Sequence, residues 1–304
     1  MNILLTGANG QLGREIMDQS RNSNLRIVGT DLPDTDITRA DHVRGAIAEV
    51  QPELVINATA YTAVDKAEED AAAAFRVNAV GAKLLADVCE TSGTPMIHIS
   101  TNYVFDGTGE TPYSEDAPLS PVGIYGISKA QGETHVRNHL ERHIIVCTSW
   151  LYGVFGHNFV KTMLKVGTQR EEIGVIVDQR GCPTNAGDFA AALLSVAEQI
   201  GLGDVSNWGT YHYCGKGETT WYHFAEAIFE TARHHIPLKV TRVIPISTES
   251  FSAPAPRPAY SALSCERIRQ SFGIDQRPWR DSLNDTVVRI LSESDPDSRC
   301  IPAR

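Results

Sequence analysis

The sequence predicts an α/β fold, in which a doubly wound and mostly parallel sheet is followed by a smaller, mixed C-terminal lobe. Short apolar segments alternate with longer helical patterns through the first half of the 304 residues. This rhythm is typical of a parallel sheet with helices on both faces. Beyond Trp150 the alternation becomes irregular. We therefore expect the second half to complete the sheet and to form a smaller lobe, with a ligand cleft between the lobes.

Composition and charge exclude several classes of partner. The net charge is -10, from 27 Lys and Arg against 37 Asp and Glu, which argues against binding to nucleic acid. The chain has no apolar run long enough for a membrane span, and its first residues do not resemble a signal peptide. The dispersed cysteines form no Cys-x-x-Cys, which predicts reduced thiols in the cytoplasm rather than a zinc site. They are Cys89, Cys147, Cys182, Cys214, Cys265 and Cys300.

The predicted first strand, residues 2–6, runs directly into a glycine turn before a helix at residues 11–19. Gly7, Gly10 and Gly13 are spaced three apart in this turn. Glycines allow backbone N–H groups to approach a pyrophosphate, and a helix N-terminus adds a favourable dipole. A simple tight turn is the alternative. The position after a first strand favours a Rossmann-type dinucleotide site.

The second predicted strand covers residues 26–31. Three residues, at its carboxyl end and in the loop that follows, are candidates for binding the adenosine half of a cofactor. Asp31 lies about 20 residues past the glycines, where an acid typically bonds the ribose 2′-OH. A carboxylate there favours NADH, but a turn of loop 32–36 would admit NADPH, so both stay open. Asp36 and Ile37 are candidates for holding the adenine. Asp36 is also a candidate N-cap for a helix at residues 39–50.

The remaining elements alternate up to Trp150. A strand at 54–57 leads into small residues at 58–62 that can lie against a cofactor. Residues 64–69 lead into a long helix that ends near residue 91. A strand at 95–100 follows, and polar residues beginning with Thr101 stand directly after that strand. Ligands bind at this position in open α/β sheets. A loop at 108–121, a helix ending near residue 140 and a strand at 144–149 complete the first half.

The second half contains fewer clear signals. Helices are predicted at residues 157–166, 186–200 and 221–235, and strands at 173–177, 211–214 and 239–246. Prolines require an extended loop at 253–258. The polar segment 292–304 is expected to be a mobile tail.

Tyr125 and Lys129 stand four residues apart near the start of a predicted helix, and therefore on one face. A nearby ammonium lowers the pKa of a phenol, so the pair predicts a proton donor and acceptor near neutral pH. The alternative is a tyrosine on a helix face beside a solvated lysine.

The glycine turn, Asp31, Thr101 and the Tyr125–Lys129 pair resemble, in order and spacing, the extended short-chain dehydrogenase/reductases. Several motifs are similar more narrowly to the dTDP-4-dehydrorhamnose reductase family, and the resemblance covers most of the chain. These motifs are at residues 57–68, 100–107, 148–152, 158–163, 178–184 and 257–261.

This resemblance implies NAD(P)H-dependent reduction of the C4 ketone of dTDP-4-dehydro-L-rhamnose to dTDP-L-rhamnose, and it assigns residues to roles. The catalytic residues are Thr101, Tyr125 and Lys129. The cofactor residues, including the turn glycines, are Gly7, Gly10, Gln11, Leu12, Gly13, Asp31, Asp36, Ile37, Ala60, Tyr61 and Thr62, together with Tyr125 and Lys129. The substrate residues are Thr101, Asn102, Tyr103 and Trp150, and Arg257 is a candidate for the diphosphate. Residues 1–150 and about 181–215 would bind the dinucleotide, and about 151–180 and 216–304 the sugar nucleotide.

The chain departs from the family at Asn102, where the family usually has Asp, which leaves the sugar selectivity open. Trp150 is either a sugar contact or a tryptophan of the lobe interface. Some family members bind Mg²⁺ with glutamates at a dimer interface, so the resemblance also allows a homodimer. Glu15 matches one such glutamate, but Gly187 and Asp188 stand where a second is expected, so the ligand set is incomplete. Glu15 is otherwise a solvated helix residue.

Two other functions remain open on the sequence alone. The first is another nucleotide-sugar reductase or an epimerase with tightly held NAD⁺. The second is a non-catalytic regulatory subunit of the same fold.

Overall fold

The computed structural model describes residues 1–21, 23–203 and 207–294. The strands are β1 (Asn2–Thr6), β2 (Arg26–Thr30), β3 (Leu54–Asn57), β4 (Met96–Thr101), β5 (His143–Thr148), β6 (Leu151–Tyr152), β7 (Glu172–Ile176), β8 (Arg180–Gly181), β9 (Thr184–Asn185), β10 (Gly209–His212), β11 (Thr219–Thr220) and β12 (Arg242–Ile246). The helices are α1 (Gln11–Ser20), α2 (Ala40–Val50), α3 (Val64–Glu69), α4 (Ala71–Phe75), α5 (Ala82–Ser92), α6 (Ile124–His139), α7 (Phe159–Gly167), α8 (Ala186–Gly201), α9 (Trp221–Ala232), α10 (Thr248–Phe251), α11 (Glu266–Phe272) and α12 (Trp279–Ser294).

A six-stranded sheet in the order β10-β5-β4-β3-β1-β2 forms the centre of the molecule. Every neighbouring pair in it is parallel. The inner strands are buried apolar runs because helices cover both faces of the sheet. The chain leaves β1 for β2 on one side and for β3 on the other. A topological switch point therefore lies at the carboxyl ends of β1 and β3, where open α/β sheets bind ligands. The predicted fold class is confirmed.

The second half adds a smaller lobe built on short strand pairs. β7 pairs with β12 and β6 with β9 in parallel, whereas β8 pairs with β11 in antiparallel fashion. A hydrophobic cluster separate from that of the main sheet forms its core and includes Phe224, Phe229 and Leu283. The mixed character predicted for this lobe is therefore also confirmed. Residues of helix α11 and of the segment before it, such as Leu263, pack instead in the cluster of the main sheet.

The long helix predicted to follow residues 64–69 and to end near residue 91 is divided in the structure. Asp70 leaves the helical conformation with φ -126° and ψ 62°, and its side chain accepts a hydrogen bond from the backbone N–H of Ala73. An aspartate competes in this way for nearby backbone donors, so it ends one helix and caps the next. A π-helical segment, Arg76–Gly81, then precedes α5. The prediction of one regular long helix up to residue 91 was therefore wrong at this segment.

The C-terminal prediction is partly wrong as well. Helix α12 continues to Ser294, beyond the start of the tail predicted from residue 292. The rest of that tail, including Cys300, lies outside the described residues. The five cysteines before it are free thiols with buried side chains. In residues 1–21, 23–203 and 207–294, no helix combines the length and the apolar character needed to cross a membrane.

Candidate active site

The glycine turn after β1 brings two backbone segments into close contact. Gly7 has a φ of +77°, which favours glycine, and an added Cβ there would lie 2.7 Å from the carbonyl carbon of Ala58. An added Cβ at Gly13 would lie 2.2 Å from the carbonyl oxygen of Gly7. Helix α1 begins after Gly10 with no side-chain cap and no acidic residue in its first turn. Its first N–H groups are therefore available to an anion such as a pyrophosphate.

Asp31 lies directly after β2 and holds the end of this turn. Its Oδ2 accepts a hydrogen bond from the backbone N–H of Asn9 at 2.9 Å. Its Oδ1 accepts another from the N–H of Leu32 at 2.8 Å. The carboxylate thus stands beside the glycine turn, as the spacing predicts, and its remaining lone pairs can accept from a ligand hydroxyl.

In this structure Asp36 forms hydrogen bonds within its own loop, and Ile37 packs in the core. The Asp36 carboxylate accepts from the backbone N–H and the hydroxyl of Thr38, and these bonds hold the pKa of Asp36 below its ordinary value. Ile37 is buried against Gly81, where an added Cβ would lie 2.7 Å from its Cδ1. Neither side chain lines the cavity described below. An adenine contact at these two residues stays a prediction.

Asn78, which the sequence analysis missed, ties the loop after β3 to helix α6. Its Oδ1 accepts from the N–H of Tyr61 at 2.8 Å. Its Nδ2 donates to the carbonyl oxygen of Tyr61 at 3.1 Å and to the Ser128 hydroxyl at 3.0 Å. The side chain is buried within the π-helical segment. Asn78 therefore holds the 58–62 loop against the helix that carries Tyr125 and Lys129, and a lone Asn in a helical pattern gave no signal of this.

Thr101, Tyr125 and Lys129 meet at the carboxyl end of β4. Thr101 is the last residue of that strand, and its hydroxyl donates to Oδ1 of Asn102 at 3.2 Å and interacts with the Tyr125 phenol. The buried Lys129 donates from Nζ to the carbonyl oxygen of Ile99 at 2.6 Å. Helix α6 carries Tyr125 and Lys129 one turn apart, as their spacing predicts. Folding thus brings Thr101 to the Tyr125–Lys129 pair, and the three side chains form one cluster.

The electrostatics of this cluster differ from the prediction. Burial raises the pKa of Tyr125 to about 12, although the interaction with the Thr101 hydroxyl opposes the shift. Burial also lowers the pKa of Lys129 to about 8. The Tyr–Lys spacing predicts a lowered tyrosine pKa, so this expectation was wrong for the structure described here, because desolvation of the phenolate dominates. Tyr125 therefore keeps its proton near neutral pH and is suited to act as an acid.

Two buried polar atoms near this cluster have no hydrogen-bond partner in the described part of the chain. They are Nδ2 of Asn102, which is 1% exposed, and Oγ1 of Thr148, which is 7% exposed. Both residues line the cavity. Buried polar groups are nearly always paired, so these two indicate ligand contacts. The Tyr103 ring packs edge-on against that of Tyr125, with 5.4 Å between their centroids.

Aromatic side chains form the wall opposite the glycine turn. Trp150 stacks on Trp221 with ring centroids 3.7 Å apart, and Phe159 packs on the same indole at 4.6 Å. All three line the cavity, so Trp150 lies both at the junction of the lobes and at the site. Arg257 does not reach the cavity. Its Nη2 donates to Asp65 at 2.9 Å, so a diphosphate contact stays a prediction.

These elements surround a cavity of about 530 Å³ at the carboxyl ends of the central strands. The predicted residues that line it are Gly10, Gln11, Leu12, Ala60, Thr62, Thr101, Asn102, Tyr103, Tyr125, Lys129 and Trp150. Those that lie outside its lining are Gly7, Gly13, Asp31, Asp36, Ile37, Tyr61 and Arg257. The lining residues that the sequence analysis did not assign to the site include Ser100, Thr148, His157, Phe159 and Trp221. A larger cavity of about 760 Å³ opens near Lys216 and Asp275, but no predicted site residue lines it.

Comparison with known proteins identifies the family. A family model described as the RmlD substrate binding domain matches residues 1–292. The chain belongs to this family. It is 39% identical to the dTDP-4-dehydrorhamnose reductase of Aggregatibacter actinomycetemcomitans, over 96% of this chain and 99% of the relative.

Solved structures of dTDP-4-dehydrorhamnose reductases superpose on nearly the whole chain. The dTDP-4-dehydrorhamnose reductase of Clostridium acetobutylicum has a TM-score of 0.89 and 40% identity, and the match covers 95% of this chain and 99% of that one. The reductase of Bacillus anthracis, described in complex with NADP, has a TM-score of 0.88 and 37% identity with the same coverage. The resemblance to this reductase family that the sequence motifs predict is therefore confirmed.

The magnesium ligands expected in some members of the RmlD family are not assembled here. Glu15 is buried rather than solvated, burial raises its pKa, and Arg289 lies 4.0 Å from its Oε2. Gly187 stands beside Glu15 but has no ligating side chain, and Asp188 accepts from the Ser282 hydroxyl. Within the described ranges, no three His, Cys, Asp or Glu residues are grouped to hold a metal. A cationic side chain faces Glu15, and the described residues of a single chain do not form a magnesium site by themselves.

Proposed function

We propose that this RmlD family member reduces the C4 ketone of dTDP-4-dehydro-L-rhamnose to dTDP-L-rhamnose with NADPH or NADH. The observation that carries the proposal is the meeting of Thr101, Tyr125 and Lys129 in one cavity next to the glycine turn. Relatives that match nearly the whole chain are named as reductases of this substrate.

The residues present fit a dinucleotide cofactor. The glycine turn leaves no room for a Cβ at Gly7 or Gly13, and the uncapped start of α1 offers N–H donors to a pyrophosphate. We propose that Gly10, Gln11 and Leu12 bind there, with the 60–62 loop on the other side. When bound, the reduced nicotinamide supplies a hydride to the ketone carbon.

The catalytic cluster supplies the proton and stabilises charge on the ketone oxygen. Tyr125 is protonated near neutral pH and donates its phenolic proton to that oxygen. The Thr101 hydroxyl donates a hydrogen bond that strengthens as negative charge develops. Lys129 holds the nicotinamide ribose, and its ammonium group favours proton loss from Tyr125.

We propose that the sugar nucleotide binds between Asn102 and the aromatic wall. The unpartnered Nδ2 of Asn102 donates a hydrogen bond to a sugar oxygen, a role that an aspartate cannot fill as a donor. Trp150, supported by Trp221, packs against the substrate. Tyr103 lies beside Tyr125, and Arg257 interacts with Tyr103 from outside the cavity.

We also propose that the two lobes bind different ligands. Residues 1–150 and about 181–215 bind the dinucleotide, and residues 151–180 and 216–304 hold the sugar nucleotide. The separate hydrophobic cluster of the smaller lobe supports this division, since a lobe with its own core can move relative to the sheet. A cytoplasmic location and a homodimer are part of the same proposal.

The test is turnover of the purified protein with dTDP-4-dehydro-L-rhamnose and each reduced cofactor in turn. We expect loss of the reduced-nicotinamide absorbance in step with formation of dTDP-L-rhamnose, identified by NMR. A rearranged sugar without net cofactor consumption would instead indicate an epimerase. No turnover, together with tight association with another enzyme, would indicate a regulatory subunit. The relative kcat/KM values for NADPH and NADH measure the influence of Asp31.

A further inference from the structure

The inward face of helix α6 carries four ionisable side chains, one per turn: Tyr125, Lys129, Glu133 and Arg137. The proposed mechanism uses only the first two. Glu133 is 0% exposed, and its Oε2 forms an ion pair with Nη2 of Arg137 at 2.6 Å. Removing a carboxylate from water costs several kcal/mol unless its partners compensate. A fully buried glutamate one turn from Lys129 therefore requires an explanation.

The contacts of Glu133 join helix α6 to the two strands at the site. The Ser100 hydroxyl donates to its Oε1, and so does the Cys147 thiol at 3.4 Å. Ser100 precedes Thr101 on β4, and Cys147 precedes Thr148 on β5. Lys129 donates to the carbonyl oxygen of the residue on the other side of Ser100. The Glu133 carboxylate thus anchors the strand end from which Thr101 projects.

Glu133 also sets the charge balance around Lys129. The other titratable groups near Lys129 are Tyr125 on α6, His98 on β4 and Cys147 on β5. Burial raises the pKa of Tyr125 to about 12, raises that of Cys147 well above its ordinary value and lowers that of His98 well below its own. These three groups are therefore neutral near pH 7. Burial alone lowers the pKa of Lys129, and Glu133 opposes that shift.

We propose that Glu133 is a positioning residue for the Tyr125–Lys129 pair. Its buried carboxylate keeps Lys129 charged inside the protein and holds the end of β4, so that Thr101 faces Tyr125. Arg137, which is 32% exposed and also contacts Thr210 on β10, secures the carboxylate from the solvent side. This inference rests on the proposed function, since it concerns the same proton transfer.

The first test is the pH profile of kcat/KM for Glu133→Gln, which keeps the shape of the side chain and removes its charge. We expect the basic limb of the profile, near pH 8 in the wild type, to move down by about one pH unit or more. At pH 8 the protonated fraction of Lys129 then falls from about one half to about one tenth, a loss of about fivefold in rate. At pH 6 the variant stays close to the wild type. A profile with an unmoved basic limb overturns the proposal.

The matched control is Arg137→Gln, which breaks the same ion pair but leaves the carboxylate in place. Its basic limb should stay at the wild-type pH or move upward, because a positive charge has been removed. If it moves down as far as that of Glu133→Gln, the effect comes from loosened helix packing and the proposal is wrong. Glu133→Asp retains the charge and should keep the limb near its wild-type position.

A second measurement does not depend on turnover. The Lys129 Nζ signal, assigned in ¹⁵N-lysine NMR spectra by its loss in Lys129→Met, is titrated in the wild type and in Glu133→Gln. We expect the midpoint to fall in the variant, and equal midpoints would overturn the proposal. If circular dichroism shows that Glu133→Gln does not fold, Glu133→Asp is titrated instead. A lowered Lys129 midpoint in this variant, which retains the negative charge, would also overturn the proposal. A wild type that never oxidises NAD(P)H refutes the proposed function, while this titration still decides the role of Glu133.

Discussion

Replacing Tyr125 with Phe removes one oxygen from the centre of the site and leaves the rest of the side chain in place. The ring keeps its edge-on contact with Tyr103 at 5.4 Å. The variant also loses the interaction of the phenol with the Thr101 hydroxyl, which costs at most about 1 kcal/mol of stability. We therefore expect a folded variant that binds NADPH with unchanged affinity, because the phenol contributes its proton rather than its surface.

The expected loss is in the chemical step. Tyr125 has a pKa of about 12, so it is fully protonated near neutral pH and available as the acid. General acid catalysis is worth roughly 10²–10⁴-fold, which corresponds to about 2.7–5.4 kcal/mol of activation free energy. The Thr101 hydroxyl still faces the developing oxyanion in the variant, so we expect a residual rate above the uncatalysed one.

Single-turnover kinetics measure this loss directly, with enzyme and NADPH in excess over dTDP-4-dehydro-L-rhamnose. Fluorescence titration of NADPH verifies that the cofactor site is intact. Tyr103→Phe is the matched control, since it deletes a hydroxyl from the neighbouring ring and should change kcat far less. A Tyr125→Phe variant that reacts as fast as the wild type would remove Tyr125 from proton transfer. A loss of NADPH binding would show instead that the phenol is a binding group.

Three further outcomes follow from the same structure. Burial lowers the pKa of Lys129 to about 8, so kcat/KM should fall about tenfold by pH 9 if the reaction requires protonated Lys129. A kcat/KM that stays constant up to pH 9 would contradict a requirement for the ammonium group. Gly13→Ala places a Cβ 2.2 Å from the Gly7 carbonyl oxygen, so we expect a destabilisation of about 1–3 kcal/mol and weaker NADPH binding. An unchanged Tm with normal NADPH binding would argue against the tight turn. Asn78→Ala leaves the Tyr61 backbone groups without these hydrogen-bond partners, so urea unfolding should show that the free energy of unfolding falls by about 2–3 kcal/mol. A decrease below about 0.5 kcal/mol would mean that other contacts hold the loop.

Sequence alone was sufficient wherever the determining rule is local. A glycine turn between a strand and a helix, an acid about 20 residues later and a Tyr–Lys pair at helical spacing depend on short stretches of chain. The alternation of buried strands and helices in the first half predicted the parallel sheet for the same reason. In the first half of the chain, strand bounds agree with the predictions to within a residue, as at β3 and β5. Family motifs then supplied the substrate, which no local rule contains.

Contacts between distant segments and the loss of water at the site were decided only by the tertiary structure. Asn78, Glu133 and Trp221 are unremarkable in the sequence, and each becomes a site residue because folding places it against a segment more than ten residues away. The direction of the Tyr125 pKa shift depends on burial, which the Tyr–Lys spacing cannot report. Glu15 was expected from its position to be a solvated helix residue unless it binds a metal, and it is buried, because Arg289 from the last helix packs beside it. Local propensity fixes the elements of this protein, whereas long-range packing and desolvation set the chemistry of its site.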